Sequence, residues 1–331
     1  MKIGNIELEN NIVLAPMAGI TNLGYRRFIK KFGVGLVVSE MISDFALIYN
    51  NKETFDMLKT LKDERPLAIQ LFGGSKDTLV QAEKILFERA DFDILDINLG
   101  CPVPKVVKGN AGSSWLKPER QEELFEAMKA VVENSTKPVT CKIRLGWEND
   151  QINVVEVCKL LEKAGVSAIA IHGRTRSQFY AGNANYDYIK LAKEAVSIPI
   201  IANGDIDSVE KAHYVLDYTK ADGIMVGRYS LGNPYLFKRL VDDYNGIKND
   251  YVPTLSDQLE YIKEHYLLLK EYEGEFRTVS QMRGLAPHYL KGYSSCKPFK
   301  ARLSQMKSEE ELFEILNDIK KEVIETGKEQ E

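Results

Sequence analysis

Short apolar segments alternate with longer amphipathic segments along the first two thirds of the chain. Eight of the apolar segments are rich in β-branched residues and apolar on both faces, which is typical of strands buried in a parallel sheet. We predict these strands at residues 11–16, 35–41, 66–73, 93–100, 138–146, 167–173, 198–204 and 221–228. Between them apolar residues recur at helical spacing, and the predicted helices include 75–90, 118–134, 151–164, 185–196 and 207–219.

Eight strand–helix units in succession predict an α/β protein with a (β/α)₈ TIM barrel. An open, doubly wound sheet is the alternative, but it needs no eighth strand. After a polar connector at 246–254, which contains Gly and Pro, only helical spacing continues. We therefore predict a barrel domain at 1–245 and a small all-helical C-terminal domain at 255–331.

The composition narrows the class of protein. Of the 331 residues, 44% are hydrophobic and 28% are charged, as in soluble globular proteins. No apolar run approaches the roughly 18 residues of a membrane helix, and the N-terminus lacks the features of a signal peptide. The four cysteines are scattered without a C-x-x-C pair, which argues against a disulfide framework and a zinc site. We expect a cytoplasmic protein with no metal and no membrane partner.

The net charge of −4 hides an uneven distribution. Residues 277–307 hold seven Lys or Arg and no Asp or Glu, with glutamates on both sides. This segment, called the basic island below, could face the phosphates of a nucleic acid. A solvated helix face explains the charge pattern equally well.

Active sites of barrel enzymes lie at the C-terminal ends of the strands. Each predicted strand ends in residues whose side-chain or backbone groups could contact a ligand. In chain order they are Pro16-Met17-Ala18, Glu40, Gln70, Asn98 with Cys101, Lys142 with Arg144, His172, Asn203-Gly204-Asp205, and Gly227-Arg228. The glycines and the arginine at the last two strand ends predict a phosphate site. Such a site indicates a phosphorylated substrate or FMN.

Lys142 favours a flavin over a phosphorylated substrate. A lysine that points into a barrel is costly unless it meets an anion or a strong acceptor, and the N1–C2=O edge of a reduced flavin is such a partner. His172 could lie beside the same cofactor, and Gln70 could offer a donor and an acceptor to the ring. Taken singly, His172 could be a core histidine and Gln70 a loop hydrogen-bonder. The chain has no G-x-G-x-x-G fingerprint, so a nicotinamide would bind only transiently.

The segment DINLGCPVPKVVKGNAGS (96–113) resembles the signature of the tRNA-dihydrouridine synthase family. Six further motifs match in the family's order: LAPMAGITN (14–22), AIQLFG (68–73), CKIRLGW (141–147), HGRTR (172–176), IIANGDI (200–206) and MVGR (225–228). The resemblance covers the whole chain. It implies reduction of the C5–C6 double bond of selected tRNA uridines, with bound FMN and with NADPH as hydride donor.

The resemblance also implies roles for single residues. The flavin ring and ribityl chain would be held by Pro16, Met17, Ala18, Gln70, Lys142 and His172, and the phosphate by Asn203, Gly204, Asp205, Gly227 and Arg228. Cys101 would donate a proton to C5 after hydride passes from flavin N5 to C6. A thiol with a pKa of about 8.5 is protonated at neutral pH and can serve as that acid. Asn98, Arg144 and Arg176 are the predicted substrate contacts in the barrel.

The basic island is the predicted tRNA contact, with Tyr289, Tyr293 and Phe299 available for stacking. Its segment MRGLAPHYLKGY (282–293) resembles the family's RNA-contacting segment, but Gly284, Leu285 and His288 stand where a Lys, a His and a Trp are expected. The predicted RNA-binding residues are Arg283, Tyr289, Lys291, Lys297, Lys300 and Arg302. No obligatory protein partner is predicted.

Three alternatives stay open on the sequence. A flavoenzyme resembling dihydroorotate dehydrogenase would share the barrel and a Cys facing a pyrimidine, but the helical domain with its basic island argues against it. An RNA-binding protein without chemistry would not need Asn98, Cys101 and Lys142 together. Ribosomal RNA could replace tRNA as the substrate.

Overall fold

The structure is a computed structural model that describes residues 1–328. Within these residues, eight parallel strands form a closed barrel. A short antiparallel pair, β1 (Lys2–Ile3) and β2 (Ile6–Glu7), precedes them. The barrel strands are β3 (Ile12–Leu14), β4 (Leu36–Ser43), β5 (Leu67–Phe72), β6 (Ile94–Leu99), β7 (Val139–Arg144), β8 (Ala168–His172), β9 (Ile200–Asn203) and β10 (Gly223–Val226).

The barrel strands follow one another in chain order, and β10 closes the ring by pairing with β3. All eight predicted strands are therefore confirmed, although most differ from their apolar segments by a few residues at the ends. The predicted TIM barrel is confirmed with them. The pair β1 and β2 was missed, because strands of two residues are too short to show an alternating pattern.

The described residues contain fourteen α-helices. They are α1 (Leu23–Lys30), α2 (Asp44–Ile48), α3 (Lys52–Asp56), α4 (Lys76–Arg89), α5 (Pro104–Lys108), α6 (Gln121–Asn134), α7 (Val154–Lys163), α8 (Asp187–Ala195), α9 (Val209–Thr219), α10 (Tyr235–Tyr244), α11 (Leu255–Glu273), α12 (Glu275–Tyr289), α13 (Lys297–Gln305) and α14 (Glu309–Ile319). The five helices predicted between strands correspond to α4, α6, α7, α8 and α9. The Ser75 and Ser208 side chains cap α4 and α9 by accepting the backbone N–H three residues on.

Apolar side chains fill the interior of the barrel at the N-terminal ends of its strands. Ile3 and Leu8, from the segment of the β1–β2 pair, pack there with inward residues such as Val13, Leu36 and Ile94. The short N-terminal pair thus closes this end of the barrel. The opposite end, where the strands finish, carries polar side chains.

The chain divides into two compact units. One comprises residues 1–21 and 34–227, and the other comprises residues 22–33 and the chain from 228 onward. This division differs from the predicted boundaries at 245 and 255, because α1 and α10 belong with the C-terminal helices. Gly24 explains the long-range packing of α1: a Cβ there would lie 3.0 Å from the backbone of Leu268, so only glycine permits this approach.

The core of the helical unit is aromatic. Phe28 of α1 stacks on His265 of α11 with ring centroids 5.3 Å apart, and Tyr25 lies 5.0 Å from the same ring. The His265 Nδ1 and the Tyr289 hydroxyl are hydrogen-bonded at 2.9 Å. Among residues 1–328, we find no helix that is long and apolar enough to cross a membrane.

Candidate active site

The strand register gathers polar side chains inside the C-terminal end of the barrel. Gln70 pairs with Asp96 across β5 and β6, and Asn98 pairs with Lys142 across β6 and β7. His172 lies beside both Arg144 and Asn203. Because side chains alternate along a strand, these paired residues share the face opposite that of the apolar residues between them. They line one barrel mouth, as the sequence predicted.

Asp96, Gln70 and Asn98 form a continuous hydrogen-bonded series. Gln70 Nε2 donates to Asp96 Oδ2 at 2.6 Å, and Asn98 Nδ2 donates to Gln70 Oε1 at 2.8 Å. Thr140 Oγ1 donates to the other Asp96 oxygen at 2.6 Å. Asp96 is only 5% exposed. Burial raises the pKa of this carboxyl, while the two hydrogen bonds and the charge of Lys142 oppose that rise.

The loop that carries Cys101 is fixed at both ends. Asn98 Oδ1 accepts the backbone N–H groups of Gly100 and Cys101 at 3.1 and 2.9 Å. The Cys101 carbonyl accepts from both the backbone N–H and the hydroxyl of Ser113, at 3.0 and 2.9 Å. Gly112 has a φ of +59°, and a Cβ there would lie 2.7 Å from the Cys101 carbonyl oxygen. The glycine is therefore required both for its backbone conformation and for space.

The Cys101 thiol is in an environment that keeps its proton. Burial raises the pKa of Cys101, and the Val103 N–H and the charges of Arg144 and Lys142 only partly offset this effect. The residue is nevertheless partly exposed, so a ligand can reach it. A thiol with a raised pKa is a poor nucleophile and an available acid at neutral pH.

Lys142 supplies a cation in the same mouth. Burial and the neighbouring Arg144 lower the pKa of Lys142 to about 8, while Asp96 and Cys101 act in the opposite direction. We find no hydrogen bond from its ammonium to any other residue of the described chain, 1–328. Lys142 is partly buried, and an ammonium in a barrel mouth without a partner among the described residues fits a ligand that presents an anionic or strongly accepting edge.

Arg144 holds loops together. Its Nε donates to the Gly100 carbonyl at 2.9 Å, and its Nη1 donates to the carbonyls of Thr175 and Phe179 at 2.8 and 2.7 Å. The residue is only 3% exposed. These carbonyls engage Nε and Nη1 of the guanidinium, so Arg144 has a structural task beside its predicted substrate contact.

The Asp205 side chain is likewise engaged within the protein. Its carboxylate pairs with both terminal nitrogens of Arg174, at 3.0 and 2.7 Å, and accepts the Ala184 N–H at 2.8 Å. A carboxylate so engaged leaves only the backbone of this residue for a phosphate. The neighbouring Gly204 has a φ of +116°, and a Cβ there would lie 2.9 Å from Ala184 and 3.0 Å from His172.

Arg174 also contacts His172. Its Nη1 lies 3.3 Å from His172 Nε2. Because a guanidinium can only donate, His172 Nε2 is the acceptor and the proton of the neutral ring is on Nδ1. The sequence alone did not predict a role for Arg174.

The remaining predicted flavin residues lie at the ends of β3, β9 and β10. The Met17 N–H donates to Thr21 Oγ1 at 3.0 Å, which closes the turn after Pro16 that also contains Ala18. Asn203 Nδ2 donates to the Met225 carbonyl at 2.8 Å. Gly227 ends the barrel unit, and Arg228 begins a 3₁₀ turn, Arg228–Ser230, in the other unit.

Arg176, the third predicted substrate contact, packs over the Trp147 ring at 3.8 Å and pairs with Glu148. Lys117 lies over the same ring at 4.8 Å. Two cations therefore flank one partly buried indole. Within residues 1–328, no cluster of His, Cys, Asp and Glu could hold a metal ion.

The predicted RNA contacts of the helical unit divide into buried aromatic residues and accessible basic residues. Tyr289 is 2% exposed and Phe299 is 5% exposed, so neither ring is available for stacking on a base. Both are needed as apolar core, which their spacing in the sequence did not reveal. Lys291, Lys297 and Arg302 are exposed, and Lys300 is partly exposed. Arg283 Nε donates to the Met306 carbonyl at 2.6 Å, and Arg302 pairs with Asp318 at 2.8 Å.

Sequence reasoning missed three residues of the mouth: Asp96, Thr140 and Arg174. The signal for Asp96 was present, because a carboxylate two residues before Asn98 in an otherwise apolar strand must lie on the same face. Thr140 and Arg174 gave no comparable signal. Their partners lie 44 and 31 residues away along the chain.

A closed parallel barrel with a mouth lined by Cys101, Lys142 and His172 defines a TIM-barrel enzyme. The model of the dihydrouridine synthase (Dus) family matches residues 13–324, and the chain belongs to that family. It is accordingly an oxidoreductase.

Relatives of known name span nearly the whole chain. A probable tRNA-dihydrouridine synthase of Rickettsia conorii (strain ATCC VR-613 / Malish 7) is 39% identical over 99% of this chain and 98% of its own length. A tRNA-dihydrouridine synthase B of Pasteurella multocida (strain Pm70) is 42% identical over 88% of this chain and 87% of its own.

Solved structures with the same fold are more distant in sequence. Morphinone reductase in complex with tetrahydroNAD has a TM-score of 0.54 at 14% identity, covering 78% of this chain and 92% of that one. An old yellow enzyme homologue from Zymomonas mobilis has a TM-score of 0.54 at 14% identity, covering 76% and 94%. These similarities show the barrel fold.

Proposed function

We propose that this protein is a tRNA-dihydrouridine synthase, which reduces the C5–C6 double bond of specific tRNA uridines with FMN and NADPH. The observation that carries the proposal is a partly exposed thiol, Cys101, whose pKa is raised by burial, held in a barrel mouth beside Lys142, whose ammonium lacks a hydrogen-bond partner within residues 1–328. A dihydrouridine synthase needs a cofactor site and an acid in one pocket, and these two residues meet both needs.

The mouth fits a flavin. Lys142 would meet its N1–C2=O edge, Gln70 and His172 would contact the ring, and Pro16, Met17 and Ala18 would support the ribityl chain. Backbone groups of Asn203, Gly204 and Asp205, with Gly227 and Arg228, would hold the phosphate. When bound, FMN supplies the hydride for C6 of uracil, and NADPH is the source of that hydride.

Cys101 completes the reduction. Addition of hydride at C6 leaves negative charge at C5 and O4 of the base, and transfer of the Sγ proton to C5 neutralises it. The resulting thiolate is stabilised by the Val103 N–H and the charges of Lys142 and Arg144, which all lower the pKa of Cys101. Solvent then returns a proton to the sulfur. The net result is one hydride and one proton added across the C5–C6 bond.

The substrate must leave its stacked position before it can enter this mouth, at a cost of a few kcal/mol. The exposed basic residues Lys291, Lys297 and Arg302, with the partly exposed Lys300, would hold the tRNA backbone and offset that cost. Asn98 and Arg176 would orient the base. We place the reaction in the cytoplasm and assign it no obligatory protein partner.

The test combines purified protein, NADPH and an unmodified tRNA transcript, followed by mass spectrometry of the digested RNA. We expect one or more uridines to gain two hydrogens, and the fragment masses give their positions. A ribosomal RNA transcript and free uracil serve as parallel substrates. If the protein oxidises NADPH and reduces the ribosomal RNA or the free uracil but leaves the tRNA unchanged, tRNA is the wrong substrate. If no NADPH is oxidised, the flavin chemistry is wrong.

A further inference from the structure

Asp96 lies beside Gln70 across β5 and β6 and two residues before Asn98 in β6, and no step of the proposed reaction uses it. It is a buried carboxylate whose two oxygens accept from Thr140 and Gln70. From Gln70 the hydrogen bonds continue to Asn98 and then to the backbone of Cys101. We call this series, Asp96–Gln70–Asn98–Cys101, the amide relay.

The direction of every bond in the amide relay is determined by chemistry. The backbone N–H groups of Gly100 and Cys101 can only donate, so the Asn98 oxygen must face them and its NH₂ must face Gln70. Gln70 therefore turns its oxygen to Asn98 and its NH₂ to Asp96. An ionised Asp96 carboxylate can only accept, so it also requires the Gln70 NH₂ to face it. Asp96 and the loop therefore favour the same orientation of Gln70.

We infer that Asp96 is a positioning residue that, together with the backbone N–H groups of Gly100 and Cys101, fixes the orientation of the Gln70 and Asn98 amides, and hence the groups they present to the pyrimidine rings in the mouth. Both acceptor positions of the Asn98 oxygen are filled by backbone N–H groups. One Nδ2 hydrogen is bonded to Gln70, and Nδ2 lies 3.7 Å from the Met41 sulfur. Since sulfur is a weak acceptor, a ligand carbonyl can displace it.

Asn98 consequently offers a ligand a donor and no acceptor. It will recognise a ring carbonyl oxygen and not the N3–H group of a uracil. Gln70 retains one N–H and one acceptor position and can meet both kinds of group. The orientation of the relay follows from the geometry alone, whereas its use in catalysis rests on the proposed function.

The relay can be tested by exchanging its carboxylate. In Asn98→Asp, Gln70 lies between two carboxylates, at positions 96 and 98. Its NH₂ can donate to only one of them. The other carboxylate therefore faces the Gln70 oxygen, and neither oxygen can donate. In the double variant Asp96→Asn/Asn98→Asp, Gln70 can reverse its amide, accept from the new amide at position 96 and donate to the new carboxylate at position 98. The double variant also keeps the charge of the natural site.

We expect Asn98→Asp to lower the thermal unfolding midpoint by roughly 5 °C, since a buried acceptor loses its partner. The deficit should shrink at pH 5, because a protonated carboxyl at position 98 regains a donor. Asp96→Asn alone should change the midpoint by no more than about 2 °C, because the new amide can turn its oxygen to the Gln70 NH₂ and its own NH₂ to the Thr140 hydroxyl, which can accept as well as donate. The double variant should recover most of the lost stability.

Thr140→Val is the matched control. It removes the other hydrogen bond to Asp96 but leaves the carboxylate that faces Gln70, so Gln70 gains no reason to reverse and Thr140→Val should not rescue Asn98→Asp. Additive effects in the Asp96→Asn/Asn98→Asp pair, or an unchanged midpoint in Asn98→Asp, would overturn the inference. These midpoints need neither flavin nor RNA, so they stand whether or not the proposed function is correct.

The catalytic consequence is measured separately on the flavin-loaded enzyme. The double variant should be as stable as the natural protein and yet form dihydrouridine at least about tenfold more slowly, because a carboxylate at position 98 has no donor for a carbonyl. A stable double variant with the natural rate would show that the orientation of Asn98 is irrelevant to catalysis.

Discussion

The protein buries ionisable groups in two kinds of surroundings, and the contrast separates function from stability. In the barrel mouth, Asp96 is satisfied by two hydrogen bonds and Cys101 by one, and Lys142 faces the open pocket. On the outside of the barrel, the carboxylate oxygens of Glu83 in α4 are buried without a hydrogen-bond partner in the described structure. In the helical unit, His265 has Nδ1 bonded to Tyr289 while its buried Nε2 lacks a partner among the described residues.

The difference shows where an ionisable group is organised for chemistry. The ionisable groups of the mouth converge on one pocket, so changing one of them should alter activity more than stability. Glu83 and His265 take no part in the hydrogen bonds of the mouth, so changing either should alter stability and its pH dependence while the reaction continues. Substitutions in the two kinds of site test this division.

Cys101→Ala should give the largest effect. We expect dihydrouridine formation to fall by about 10²-fold to 10⁴-fold, the usual contribution of a general acid, while flavin binding and its reduction by NADPH continue. Cys158→Ala, the same change at a buried thiol of α7, is the control and should keep the natural rate. Mass spectrometry of the RNA and stopped-flow flavin absorbance measure the two steps. Full activity of Cys101→Ala would remove the thiol from the mechanism.

Gly112→Ala should give the second largest fall in the rate of dihydrouridine formation. A methyl group there would lie 2.7 Å from the Cys101 carbonyl oxygen in a backbone conformation that disfavours side chains. We expect about a tenfold or larger fall in the rate, because the thiol is displaced from its bound geometry. Gly109→Ala, in the same loop but with a negative φ, is the control. Equal rates for both variants would mean that the loop does not position Cys101.

Glu83→Met should stabilise the protein and leave its activity unchanged. Burial raises the pKa of Glu83 to about 7, so the folded state binds more protons than the unfolded state between roughly pH 4.5 and 7. The free energy of unfolding is therefore not reduced by Glu83 below pH 4.5, and it falls as the pH rises through 7 and this carboxyl ionises. We expect the substitution to gain on the order of 2 kcal/mol at pH 8, measured by urea unfolding. A gain that is equal at pH 4 and pH 8 would contradict the assignment.

His265→Phe should change the acid limb of the stability profile. Burial lowers the pKa of His265 to about 3, so the unfolded state binds the extra proton between about pH 6.5 and 3. The natural protein is therefore most stable above pH 6.5 and loses on the order of 2 kcal/mol by pH 4.5 through this group. Phe keeps the stacking on Phe28 but cannot titrate, so its urea-unfolding profile should be flatter. An unchanged slope would place the acid sensitivity elsewhere.

Much of this architecture could be predicted from the sequence, since apolar periodicity directly reports buried strands and amphipathic helices. Cys101 and Lys142 were also found from their positions at strand ends. The hydrogen-bond partners of Arg144 and Asp205 could not be predicted, because folding brings them from distant loops. The contact between α1 and α11 could not be predicted for the same reason, because their residues lie more than two hundred positions apart along the chain.

The most direct test of the central claim is the pH dependence of Cys101 alkylation by iodoacetamide, with Cys101→Ala as the blank. The other three thiols are buried and should react slowly. A cysteine in an unstructured peptide, measured in the same buffers, provides the reference. Because burial raises the pKa of Cys101, we predict that its alkylation rate rises at a higher pH than that of the peptide. A rise at a lower pH would show a thiolate in the mouth and would contradict its role as the proton donor.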